Sequence, residues 1–257
     1  MFKNHNHISS GHLYRIFLLV FCLLLSFSLG YAETKDAGAA KAAAWFQKGN
    51  ALFVAGKYQE ATGAYTKAIE LNPKIALFYN NRGYAYRHLE NFKKAIEDYN
   101  KAVALDPAYA GAYNNRGIAY GKLGNHSQEI ADYNKAIELD PDDAVVYYDR
   151  GIAHGKLGRY QQELTDYNKA LQLDPKFTAI YYKRAATHCK LGNFYQAIAD
   201  FDKAIEVNPK DADAYYNRGV AHGRTGNYDK ELDDIKRAAR LGHAGAREIL
   251  RKQDMDW

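Results

Sequence analysis

The sequence predicts an all-α chain built from repeated helix-turn-helix units. Three observations carry this. The five prolines, Pro73, Pro107, Pro141, Pro175 and Pro209, stand 34 residues apart, and none lies off that grid. Between them, large and small apolar residues recur at spacings of three, four and seven, the period of an apolar helical stripe. Each expected helix also has a stop signal. Leu-Gly-Asn or a variant (Leu123-Gly124-Asn125, Leu191-Gly192-Asn193) lies mid-unit, where glycine suits a left-handed C-terminal cap. Leu-Asp-Pro or a relative (Leu105-Asp106-Pro107, Val207-Asn208-Pro209) lies at the end, because the residue before proline avoids the helical region.

The chain opens on a different kind of segment. Lys3 and Arg15 are the only formal charges in residues 1–32, and an apolar run from Ile16 to Leu29 follows them. Gly30 and Ala32 place small residues at −3 and −1 of a cut before Glu33. This predicts a secretory signal peptide over 1–32 and an exported, periplasmic or secreted protein. The run falls short of a bilayer core about 30 Å thick, so no membrane span is expected in the mature chain, and an uncleaved anchor is the second reading. Residues 33–41 read as a short flexible leader.

Composition narrows the function classes. With 47% hydrophobic and 25% charged residues, the chain is neither disordered nor collagen-like. Two cysteines cannot make a disulfide scaffold or a four-cysteine zinc site, and Cys189 is alone once Cys22 leaves with the signal peptide. Without Lys3 and Arg15 the net charge falls from +5 to +3, too mild an excess to point to nucleic acid.

Setting each proline at position 32 of a 34-residue unit gives six units: 42–75, 76–109, 110–143, 144–177, 178–211 and 212–245. Position 4 is aromatic from Trp45 to Tyr215, and position 8 is glycine except for Ala185. Position 24 is large (Tyr65, Tyr99, Tyr133, Tyr167, Phe201, Ile235), and position 27 is always alanine. The first helix is expected over positions 2–14 and the second over 18–31. Glycine at position 8 costs about 1 kcal/mol of helix propensity against alanine, so its recurrence implies a close helix–helix approach. Residues 246–253 read as a polar-faced helix covering the last unit, with a tail to 257.

In an antiparallel hairpin that turns near position 15.5, facing positions sum to about 31. This pairs Arg82 with Asp98, Arg116 with Asp132, Arg150 with Asp166, Arg184 with Asp200 and Arg218 with Asp234 as structural ion pairs. The first unit has Lys48 and Ala64 there, so the two charges come and go together. The same sum sets Tyr120 against Glu129, His154 against Glu163 and His222 against Glu231. One His–Glu pair has too few donors for a metal ion and reads as a partly buried hydrogen-bonded pair.

The repeated unit resembles the tetratricopeptide repeat: a small residue at 8, an aromatic at 24, alanine at 27 and proline at 32. The resemblance covers 42–245. The last unit departs from it with Ile235 at position 24 and His243 in place of proline. It implies a right-handed α-α superhelix, a solenoid whose first helices line a concave groove. By resemblance, the groove residues are Asn80, Asn81, Asn114, Asn115, Tyr148, Tyr182, Tyr216 and Asn217, with a basic ladder of Lys122, Lys156, Lys190 and Arg224. Asparagine amides can bind peptide backbone, tyrosines give contact area at low entropy cost, and cations favour an acidic segment or a free carboxylate. Asn50 and Asn81 match the asparagines of the family's two-carboxylate clamp. Phe46, Gly111 and Asn115 stand where its basic residues belong, which argues against that specificity.

The chain therefore reads as a non-catalytic adaptor with no cofactor or metal. It would hold a protein or peptide segment in its groove and act in the cell envelope. A carbohydrate-binding or weakly catalytic protein using the tyrosine-rich groove is the alternative, and a structural subunit held by surface patches is the third reading. No glycine-rich phosphate loop, His-Glu-x-x-His or Gly-x-Ser-x-Gly motif is present.

Overall fold

Alanine-rich and straight-chain stretches between glycine and proline stops leave the backbone little choice but helix. The computed structural model describes residues 37–257, and residues 1–32, expected to be a signal peptide, lie outside them. Thirteen helices and no strands occur among the described residues. They form two compact units, one ending at Leu105 and the other running from Asp106 to Trp257.

The first unit holds α1 (37–54), α2 (Tyr58–Leu71), α3 (Ala76–His88) and α4 (Phe92–Leu105). Residues 37–41 are helical and continuous with α1, so the helix reaches into the stretch expected to be a flexible leader. Ala37, Ala39, Ala40 and Ala42–Ala44 are strong helix formers, and Ala42 is already buried. The second unit holds α5 (Ala110–Lys122), α6 (His126–Leu139), α7 (Ala144–Lys156), α8 (Tyr160–Leu173), α9 (Ala179–Lys190), α10 (Phe194–Val207), α11 (Ala212–Arg224), α12 (Tyr228–Arg240) and α13 (Ala244–Lys252). Consecutive helices pack as hairpins, and each hairpin of this unit packs on the next.

Most helices begin and end about one residue earlier than the periodicity predicts, for reasons visible at both ends. Where position 34 is aspartate, it caps the following helix: Asp143 accepts from the amides of Val145 and Val146, and Asp211 from those of Asp213 and Ala214. At the other end the residue before the proline leaves the helix for extended backbone at Asn72, Asp140 and Asp174. Its amide donates to the alanine at position 27, as Asp140 does to Ala136 at 2.8 Å. Its side-chain oxygen then accepts the amide two residues on, as Asp174 does from Lys176 at 2.9 Å.

The mid-unit glycines take positive φ, from 69° at Gly158 to 79° at Gly226. In the second repeat Glu90 adopts the same conformation at φ 56°. Inside the first four hairpins the glycine at position 8 makes room for the tyrosine ring at position 24. A Cβ on Gly151 would sit 2.8 Å from Tyr167, and one on Gly83 would sit 2.9 Å from Tyr99. In the fifth repeat Ala185 packs against Phe201, which lacks the hydroxyl.

Candidate functional site

Arginine at position 7 joins the two helices of its hairpin. Each forks onto the aspartate at position 23: Nε and Nη2 of Arg150 donate to Asp166 at 3.0 and 2.6 Å, and those of Arg184 to Asp200 at 2.7 and 2.6 Å. Arg82, Arg116 and Arg218 repeat the geometry on Asp98, Asp132 and Asp234. All five carboxylates are buried. Two parallel charge-assisted bonds fix the side chain in direction as well as energy. The hydrogen bond and charge of Asp234 and Asp202 push the Arg218 pKa well above its ordinary value, so this cation is permanent.

The remaining nitrogen does what the charge pattern did not announce. Nη1 of Arg150 donates to Asn134 at 2.7 Å, Nη1 of Arg184 to Asn168 at 2.7 Å and Nη1 of Arg218 to Asp202 at 2.6 Å. In the first unit Nη1 of Arg82 donates to Thr66 at 3.0 Å. These acceptors occupy position 25 of the preceding repeat, so one guanidinium closes its own hairpin and ties it to its neighbour. It also lies over the ring at position 4, as Arg150 does over Tyr147 at 5.5 Å.

On this frame the first helices carry the candidate groove residues. In the first unit Asn81 donates to Asn50 at 3.2 Å, Asn80 donates to Asn81 at 3.1 Å, and Asn50 also accepts from Tyr65 at 2.8 Å. These asparagines are engaged with one another, and Asn80 is buried. In the second unit Asn217 donates to the Tyr182 hydroxyl at 3.0 Å and to the Asp213 carbonyl at 2.8 Å. Asn114 and Asn115 are half-buried, with Asn114 Oδ1 shielded from solvent and unpaired.

The tyrosines are half-buried rather than open platforms. Tyr148 packs on Phe177 (ring centroids 4.9 Å), Tyr182 on Phe201 (5.7 Å), and Tyr216 stacks on His243 (4.1 Å). Burial pushes the Tyr148 and Tyr182 hydroxyls above the usual phenol range. His243, which breaks the proline grid, also caps α13 by accepting the Ala246 amide. It starts that helix two residues before the position that the sequence suggests.

The basic ladder is open: Lys122, Lys156, Lys190 and Arg224 are all exposed in the last turns of α5, α7, α9 and α11. Two of them also lean back on the preceding repeat. Lys156 Nζ is 3.6 Å from Glu129 Oε1, and Lys190 Nζ is 5.0 Å from the Tyr160 ring centre.

The expected His–Glu pairing is corrected. His154 Nε2 lies 3.8 Å from Asp166, and Glu163 instead accepts the Tyr167 hydroxyl at 2.9 Å. Positions 7 and 11 share one helical face, so both look at position 23. The glutamate at position 20 fits against the glycine at position 12, where a Cβ on Gly155 would meet Glu163 at 2.5 Å. Gly121 with Glu129 and Gly223 with Glu231 repeat this fit, while alanine occupies position 20 wherever position 12 is bulkier, as in Arg87 with Ala95. That covariation was readable but masked by the histidines. Glu129 is instead paired to its own-helix His126 at 2.6 Å.

Burial lowers the pKa of His154, His188 and His222. It raises that of Cys189, as in a packing thiol rather than a nucleophile. Among the described residues no group of three or more His, Cys, Asp or Glu could hold a metal ion.

Comparison with known proteins places these repeats. A model described as TPR repeat matches residues 83–124, 156–192 and 187–226. Models described as tetratricopeptide repeat match 42–75, 64–97, 110–143, 132–165 and 212–241. The crystal structure of YrrB, a TPR protein with an unusual peptide-binding site, is 25% identical with a TM-score of 0.67. That alignment covers 74% of this chain and 98% of YrrB. The pilF structure from Pseudomonas aeruginosa is 19% identical with a TM-score of 0.70, covering 85% of this chain and 99% of that one, and shows the shared fold. Hsp70-Hsp90 organizing protein 1 from Glycine max is 54% identical over 43 residues, a match spanning 17% of this chain and 8% of that protein.

Proposed function

Because the chain belongs to the tetratricopeptide repeat family, we propose that it is a non-catalytic adaptor that binds a protein segment along its first helices. The observation that carries this is the exposed row of Lys122, Lys156, Lys190 and Arg224 on four successive first helices of one unit. Four cations at a regular spacing suit an extended acidic segment better than a small molecule. The likeness to YrrB, whose description names a peptide-binding site, supports the same class of ligand. Asn217 and the tyrosines of the same unit are engaged with other residues of the chain, through the contacts described above.

We place this activity in the cell envelope on the strength of the basic start and apolar run of residues 1–32. Among the described residues no helix is long and apolar enough to cross a membrane. The sugar-binding alternative is not favoured, because Tyr148, Tyr182 and Tyr216 give part of their ring area to Phe177, Phe201 and His243. Capture of partners by the chain, with and without alanine at Lys122, Lys190 and Arg224, tests the proposal.

A further inference from the structure

The last repeat ends in an incompletely covered joint. At inner joints of the second unit, the first helix of the next repeat lies over the second helix of the one before. There Glu129 and Glu163 are 3% and 6% exposed, and Ile130 and Leu164 are 8% and 5% exposed. Their equivalents in the last repeat, Glu231 and Leu232, are only half-buried, while Tyr228 is 70% exposed. Length is the cause. α13 packs Ala246 and Leu250 on Ile235, Ala238 and Ala239 as a next first helix would. It stops after nine residues, against 13 in α7 and α11. The missing turn is the one that would lie over the start of α12. A hollow of about 230 Å³ stands there, lined by Val220, Tyr228, Glu231, Leu232 and Met255 among others.

What fills the same ground at inner joints is visible. Ala153 of α7 packs on Ile130, and Lys156, one turn on, reaches Glu129 at 3.6 Å. Lys190 of α9 lies over Tyr160. Glu231 and Tyr228 are the counterparts of Glu129 and Tyr160, and α13 stops before the turn that would bring a lysine to them.

We propose that this hollow docks the end of an amphipathic helix from another protein. A small or aliphatic side chain of that helix enters between Val220 and Leu232. A lysine or arginine three residues later reaches Glu231 and the Tyr228 ring. Charge complementarity favours such a partner over a second copy of this chain, because α1, the first described helix, carries the exposed Val54 at the position of that cation. The site is separate from the basic row and does not depend on it.

A labelled peptide of residues 144–157, which contains Ala153 and Lys156, is the probe, and its fluorescence anisotropy is read against the full chain. Saturable binding is expected. It should weaken about tenfold with Glu231→Lys and recover when the peptide carries Lys156→Glu. Val220→Asp, at a residue 36% exposed, should weaken it too and covers the case in which Glu231→Lys disturbs the fold. Lys122→Ala with Lys190→Ala should leave it unchanged. Three results would overturn the proposal. One is no saturable binding, and another is binding indifferent to both Glu231→Lys and Val220→Asp. The third is self-association of the chain that Val220→Asp abolishes, which would make a second copy the occupant.

Discussion

Arg150 and Asp166 meet through two parallel hydrogen bonds at 3.0 and 2.6 Å, with the aspartate 3% exposed. Removing one partner strands a buried charge, which typically costs about 3–5 kcal/mol. Arg150→Ala should therefore destabilise the chain by about 3 kcal/mol alone and by far less in an Asp166→Ala background. Denaturant melts of the four proteins in the cycle check this, and equal losses in both backgrounds would refute the pairing.

The same arginine ties neighbouring repeats, which gives a second, separable outcome. Asn134→Ala removes only the acceptor of Nη1 and leaves the fork on Asp166. We expect a loss of about 1.5 kcal/mol, the low end of the range for a hydrogen bond to a charged group. Hydrogen exchange should be faster at the joint between α6 and α7 than inside either hairpin.

The register of the repeats was largely legible, and the couplings between them were not. The proline grid and the stop signals located every helix from α2 to α11 to within about a residue. The matched arrival of arginine and aspartate pointed at position 23. Asparagine at position 25 carries no charge, so nothing marked Asn134 or Asn168 as the third contact of that arginine. Asn81 and Asn217 read as free peptide binders because their own partners, Asn50 and Tyr182, lie a repeat away. His154 was set against Glu163 because the facing rule ignores side-chain length. A glutamate can reach into the notch left by Gly155 while the shorter aspartate stays beside the histidine.

Gly151 leaves no room for a methyl group, since its Cβ would lie 2.8 Å from Tyr167. Gly151→Ala should cost about 1–3 kcal/mol, the usual range for overpacking. Tyr167→Phe frees the ring from Glu163, to which its hydroxyl donates. Part of the loss should then return, giving the arrangement that Ala185 and Phe201 already show. Thermal melts of the single and double variants decide it.

Acid should weaken the fold through three histidines. Burial lowers the pKa of His154, His188 and His222 in the folded chain, so the unfolded chain binds more protons as pH drops. Their contribution is fully present above the unfolded value near 6.5 and is lost as pH falls through the lower folded values. Replacing all three with glutamine should flatten stability between about pH 6.5 and 5, measured by urea midpoints. An unchanged slope would show that the carboxylates dominate.

The proposed groove is tested most directly by capture from an envelope extract with the intact chain and with Lys122→Ala, Lys190→Ala and Arg224→Ala combined. These side chains are exposed and outside the arginine forks, so the variant should fold and melt as the parent does. Loss of the proteins that the parent retains, most complete at low salt where surface charges are least screened, is the expected result. Retention of every partner by the folded variant would contradict the account.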